Sequence, residues 1–393
     1  MRISGNGHAG QAQSKEARIE AIRREAEEKG RVELPGIRPA GAPIPIASPE
    51  TGYYGQHLLK EPQWTKLIPF YFFVGGASGS LGVIGSLADV LGREEKLALT
   101  ARWMAFGGSV LSGVLLVADL GRPSRFINML RVFKPQSAMS MGSWVLSGFS
   151  ASAGLSSFAD FLRARLGDGF MASSASVLGR TGCVLFGMPF HDYTGVLIGA
   201  TAIPVWNEHV RALPIEFGMS GLQSAVSLLE LAGYHDRTAL NVLGLTSAAV
   251  ESAEFVNSEM KKKPSAQALK KGSAGLLVRA GAVLSGPLPI ALRVASMFAG
   301  KGRARTLRRL AACSGIAGSL CMRYGWVEAG AVSARDWRLP LKVEERRAKT
   351  RQQGSARETE AALTTSSNDK SNRKRPVTET AARMRSRLLP SGK

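Results

Sequence analysis

The chain is poor in the residues that hold redox metals. Its 393 residues include three cysteines (Cys183, Cys313 and Cys321) and five histidines. No CxxC pair is present, and an iron–sulfur cluster requires four clustered thiolates, so none is expected in this chain. The cysteines all lie in apolar segments, where a thiol acts as a small hydrophobe. A b-type haem would need two histidines on facing membrane helices. His8 and His57 lie in the polar N-terminal part, His209 and His235 at segment ends, and His191 alone within a segment, so haem is not expected either. Acidic residues are also scarce, 30 Asp and Glu against 51 Lys and Arg, which gives a net charge of +21. Charge of either sign is missing altogether from residues 67–88 and 135–159. Uncharged runs of about 20 residues match the thickness of a bilayer's hydrocarbon core, and two of them argue against an ordinary soluble protein. The N-terminus has no short apolar core followed by a small-residue cleavage site, so no signal peptide is expected.

What remains divides into three parts: a polar tail over 1–62, an apolar region over 63–330 rich in Gly, Ala, Leu, Val and Ser, and a basic tail over 331–393. The tails are expected to be disordered, although 14–29, SKEARIEAIRREAEEK, would equally suit a charged helix. Apolar runs bounded by charge or proline predict about eight membrane segments, near 66–91, 97–119, 139–162, 177–207, 214–232, 237–258, 272–299 and 307–327. In hydrocarbon the backbone must satisfy its own hydrogen bonds, so the expected fold is an all-α membrane bundle. Gly76, Gly79, Gly82 and Gly85 recur at every third position of the first segment, and Gly75 with Gly79 forms a GxxxG. Small residues of this kind let membrane helices approach closely. A phosphate loop is rejected for GGASGSLG, because no strand precedes it.

The positive charge lies in short clusters between the apolar runs and in the tail, where residues 338–393 hold 15 Lys and Arg against 6 Asp and Glu. That distribution suits cytoplasmic loops touching anionic lipid, not nucleic acid. Eight segments put both termini on one side, and the basic tail points that side to the cytoplasm. GKGRARTLRR, 300–309, would then face outward, against the same rule.

Ionisable residues inside a membrane are costly and each is a functional candidate. Asp119 ends the second segment, with Arg122 and Arg125 just beyond it. They form either a local ion pair or a site at the membrane surface. FINMLRVFK, 126–134, suits a short helix lying in the interface, and Trp144 follows in the third segment. His191, Asp192 and Tyr193 are consecutive after Pro189. They could hydrogen-bond a quinone and take up its protons, or lie in a loop where Pro189 breaks the helix. Glu251, Glu254, Arg279 and Arg293 could pair across helices or form a proton path. A transporter or channel using these charges is the alternative, weakened by the lack of internal repeats.

The stretches YYGQHLLKEPQW (53–64), YFFVGGASG (71–79), DLGRPSRFINMLRVFKPQSAMSMGSW (119–144), YTGVLIGATAIPVWNE (193–208) and VEAGAVSARD (327–336) resemble the NrfD/PsrC family. These are the membrane subunits of polysulfide-reductase-like complexes. The resemblance implies eight helices in a bacterial inner membrane and menaquinone or ubiquinone as substrate. It also implies a ferredoxin-like iron–sulfur subunit and a molybdopterin catalytic subunit as partners. Tyr193, in the family's YTG motif, is the first choice for a quinone hydrogen bond. One departure is Ala138, where the family's SPMS pattern has proline, which would leave the turn before the third segment less constrained.

Overall fold

A computed structural model of the chain describes residues 59–91, 94–120, 126–260 and 264–336, together with Arg24, Ser124 and residues 339, 340, 342 and 343. The predictions for most of the two tails, and for Arg122 and Arg125, lie outside these residues, although helix continues past the expected boundary at 330 as far as Arg335. Helices α1 (Leu67–Leu91) and α2 (Glu95–Asp119) are followed by a one-turn helix, α3 (Phe126–Leu130). Next come α4 (Ala138–Leu166), α5 (Phe170–Gly199) and a second short helix, α6 (Pro204–Glu208). Helices α7 (Leu213–Leu229), α8 (Thr238–Met260), α9 (Gly272–Ser285), α10 (Pro287–Met297) and α11 (Lys301–Arg335) complete the order. No strand occurs among the described residues, and each of the eight predicted segments falls on helix. Three stretches are long and apolar enough to cross a membrane by length and composition: α1, α2 and Gly272–Met297.

Local chemistry sets the ends. Ser137 caps α4, accepting from the Ser140 N–H, and Gly167 closes it at φ 80°. The fourth predicted segment reaches 207 and allows a break near Pro189; α5 instead passes through Pro189 and stops at Gly199. Proline removes one backbone hydrogen bond, and packed neighbours in a bundle compensate for that loss. The 272–299 segment does break, at Gly286, and Pro287 then occupies the first turn of α10, where its missing N–H costs nothing. Helix α7 ends in a π-turn, Glu230–Tyr234, whose Gly233 at φ 112° turns the chain towards α8.

The glycines of α1 set the depth of packing. A Cβ on Gly79 would stand 2.8 Å from the His191 nitrogen and 2.9 Å from the Gly187 carbonyl oxygen, both backbone atoms of α5. Gly221 of α7 approaches Gly76 of α1 just as closely, with its Cβ position 2.9 Å from Gly76 backbone atoms. Helix α1 is therefore clasped by α5 and α7 at a separation no side chain would permit. Aromatic residues fill the space on either side. Phe72, Trp206, Phe217 and Trp326 form one cluster, and Leu81, Phe149, Phe190 and Leu229 another. Of the cysteines, Cys183 is buried as expected, but Cys313 is exposed because its face of α11 points away from the bundle.

The second half of the bundle has a polar interior. Glu216, Ser220, Gln223, Ser224 and Ser227 recur along α7 and lead to Glu230. Arg323 donates to the Ser220 and Ser319 hydroxyls, each at 2.5 Å, and to the Phe217 carbonyl at 3.2 Å. The Ser247 hydroxyl donates to Gln223 at 2.6 Å. Further along, Arg293 donates to both carboxylate oxygens of Glu230, at 2.6 and 2.8 Å. At the far end Arg305 donates to His235 Nε2 at 2.8 Å, and Arg308 to the His235 carbonyl. The basic 300–309 cluster thus braces the end of α7 instead of lying in a free loop.

Candidate functional site: a tyrosine-lined cavity at one end of the bundle

The start of α1, the end of α2, α3, the start of α4 and the end of α5 meet at one end of the bundle. They enclose a cavity of about 120 Å³. Its walls include Trp64, Tyr71, Asp119, Met129, Gly142 and Tyr193. Two separately nominated features, the 119–144 stretch and Tyr193, therefore share one space.

Asp119 is one of the polar residues in the cavity wall. Its Oδ1 accepts from the Thr65 hydroxyl at 2.5 Å and from the Thr65 N–H at 3.2 Å, tying the end of α2 to the start of α1. Both donors go to the same oxygen, and Oδ2 has no hydrogen bond among the described residues. Tyr193 donates its hydroxyl proton to the Ala138 carbonyl at 2.8 Å, at the first turn of α4. That leaves the hydroxyl oxygen able to accept but not to donate. The tyrosine fits there because residue 142 is glycine: a Cβ on Gly142 would lie 1.8 Å from Tyr193 Cζ. Ala138 is the position where proline was noted as missing. The turn is held without it, since Ser137 caps the helix.

Tyr71 is the residue that sequence reasoning passed over. It is buried on α1, lines the cavity, and its hydroxyl makes no hydrogen bond among the described residues. A buried tyrosine hydroxyl ordinarily finds a partner, so this one is a donor in waiting. The signal was available: Tyr71 carries the single hydroxyl in the aromatic run FYFF of an uncharged segment. Behind the cavity Trp64 stacks on Trp206, with ring centroids 5.3 Å apart, and the Trp206 indole donates to the Trp326 carbonyl at 2.8 Å.

The other nominated residues lie elsewhere. His191 and Asp192 are helical and pack against Gly218 of α7, and neither lines the cavity that Tyr193 borders. The His191 Nδ1 is engaged with the Met188 carbonyl. Trp144 is exposed, its ring edge-on to Phe133 at 5.9 Å. The short interfacial helix is present but covers Phe126–Leu130 only. Glu251 is buried in the polar interior beside Ser285 and within electrostatic reach of Arg323. Arg293 pairs with Glu230, Glu254 is half-buried, and Arg279 points out of the bundle.

Stretches far apart in the sequence are joined here. Glu61 receives two hydrogen bonds from Arg335, at 2.7 and 3.1 Å, and Tyr324 donates to the Lys66 carbonyl at 2.9 Å. No curated protein matches the chain. A family model described as polysulfide reductase, NrfD_2, matches residues 50–337, nearly all of the helical bundle and its cavity. The chain belongs to the NrfD-type polysulfide reductase family, integral membrane subunits of multi-subunit oxidoreductases.

Proposed function

We propose that the cavity receives the head group of a membrane quinone, and that the chain passes electrons between the quinone pool and an iron–sulfur partner subunit. In this reading the bundle crosses a bacterial inner membrane eight times. A molybdopterin subunit beyond the iron–sulfur partner acts on the terminal substrate. The observation that carries the reading is that Tyr71, whose hydroxyl has no hydrogen bond among the described residues, and Tyr193, whose hydroxyl oxygen can accept, line one largely apolar cavity. A quinone carbonyl accepts and a quinol hydroxyl donates, so Tyr71 suits the first and Tyr193 the second. Oxidation of a quinol releases two electrons and two protons. The Asp119 carboxylate in the cavity wall takes up a proton, while the electrons pass to the partner's nearest cluster. His191 and Asp192 then shape the α5–α7 contact and do not touch the ring.

The test is binding of a menaquinone analogue to the purified chain in lipid nanodiscs, followed by the quenching of tryptophan fluorescence, since Trp64 lines the cavity. Saturable binding that weakens in Tyr71→Phe supports the assignment. Absence of saturable binding overturns it. A second reading, proton conduction through the polar interior, is favoured by the buried carboxylate of Glu251 beside Ser285. Proton uptake into liposomes holding the chain, lost in Glu251→Gln, would support it, and no uptake would exclude it.

A further inference from the structure

The cavity is too small for a whole ligand. Pockets for molecules of drug size run to roughly 300–1,000 Å³, and this one has about 120 Å³. Next to it lies an open groove of about 560 Å³, walled by α2, α4 and the short α3. The two spaces are lined by neighbouring residues, one to four positions apart, of the same elements. Leu116 of α2 lines the cavity and Val117 the groove; Ser143 of α4 lines the cavity and Ser147 the groove; Met129 and Phe126 of α3 do the same. The groove runs from the cavity towards the middle of α2 and α4, along the segment that is long and apolar enough to span a membrane.

Its chemistry is apolar in effect. Ser147 and Ser109 turn their hydroxyls back onto the backbone, to the Ser143 carbonyl at 2.8 Å and the Phe106 carbonyl at 2.8 Å, so that of the groove's polar side chains only Ser150 keeps a hydroxyl without a hydrogen bond among the described residues. Val110 and Val114, beside Gly113, are at least half exposed. Gly113 widens the groove, for a Cβ there would meet no atom within 4 Å. Such a trough opens sideways to lipid and closes at one end on hydrogen-bonding groups. That shape fits a molecule with a polar ring and a long hydrocarbon tail.

We infer that the α2–α4 groove seats the isoprenoid tail of the quinone, so that the substrate enters sideways from the bilayer, ring first, beneath α3. The inference rests on the cavity being the head-group site. It makes the groove a determinant of tail length, separate from the residues that bind the ring.

The experiment compares menaquinone-4, which carries a four-isoprene tail, with menadione, which has the same head group and no tail, on the full chain in nanodiscs. Gly113→Leu fills the groove and, by improving helix propensity, should not impair folding. Gly107→Leu is the control: Gly107 is also on α2, also has open space around its Cβ position, and lies off the groove. The Gly113 variant should weaken menaquinone-4 binding about tenfold or more, as expected for a displaced apolar chain, and leave menadione within twofold. The Gly107 variant should change neither. An equal loss for both ligands, or no loss for either, overturns the tail assignment and leaves the head-group site standing. If neither ligand binds the unmodified chain, the head-group reading itself fails.

Discussion

The Glu230–Arg293 pair offers a quantitative test of how the bundle is held together. Both side chains are 0 % exposed, and two hydrogen bonds, at 2.6 and 2.8 Å, join the guanidinium to the carboxylate. Asn241 Oδ1 lies 3.5 Å away on α8, and Gly244 leaves the space: a Cβ there would sit 2.5 Å from Arg293 Cζ. Glu230→Gln keeps the shape and removes the negative charge, leaving a cation buried without a counterion. Breaking a buried pair from one side costs about 3–5 kcal/mol. In a domain of roughly this size each kcal/mol lowers the midpoint by about 2–4 °C, so the loss should be on the order of 10 °C. Removing both charges with Glu230→Met and Arg293→Met together should recover at least half of that, because no unpaired charge remains. The assay is the fraction of monodisperse protein left in detergent after heating, read at a fixed scan rate because membrane-protein unfolding is rarely reversible. A single variant that loses under about 2 °C, or a double variant as weak as the two singles added together, would refute the reasoning.

Other expectations follow from the cavity and the glycine contacts. Tyr193→Phe should stay folded, with its midpoint within a few degrees of the parent, since one hydrogen bond is worth about 1 kcal/mol; its quinol turnover should fall, and unchanged turnover would remove Tyr193 from the site. Gly142→Ala drives a methyl into the Tyr193 ring and should cost about 1–3 kcal/mol along with quinone affinity, measured by the heating assay and by fluorescence quenching. Gly79→Ala meets α5 backbone on two sides and should keep the protein from accumulating in membranes, as judged by immunoblot of a tagged chain. Asp119→Ala frees the Thr65 donors and should cost about 1 kcal/mol, while Asp119→Asn keeps an acceptor oxygen and should cost less.

The sequence was most informative about where helices exist. Uncharged stretches such as 67–88 announce themselves by length, and each expected segment is helical. It was less informative about boundaries. Pro189 and Pro287 look alike in the sequence, yet the first sits inside a helix supported by neighbours and the second follows Gly286, where the backbone can turn. The site was legible in part. Asp119 and Tyr193 stood out by their chemistry, and both line the cavity. His191 and Asp192 stood out equally, but consecutive helical residues point about 100° apart, so a triplet cannot share one pocket. Tyr71 carries a weak signal, the one hydroxyl in FYFF, which in an apolar run reads as an ordinary core aromatic; the lack of a hydrogen-bond partner among the described residues emerges only on packing. The pairing of Glu230 with Arg293 joins residues 63 apart, a separation on which local periodicity is silent.

The bond from Tyr193 to the Ala138 carbonyl bears on how this cavity can change over evolutionary time. A tyrosine that grips main chain is indifferent to the side chain attached to it. Proline also has a carbonyl, so replacing alanine with proline at 138 would leave the tether in place. The substitution that catches the eye is therefore neutral for that contact. The constraint sits four residues later, at Gly142, where the smallest possible change, one methyl group, would evict the ring. A change at the first position need not disturb the tether, while a change at the second displaces the tyrosine from its pocket.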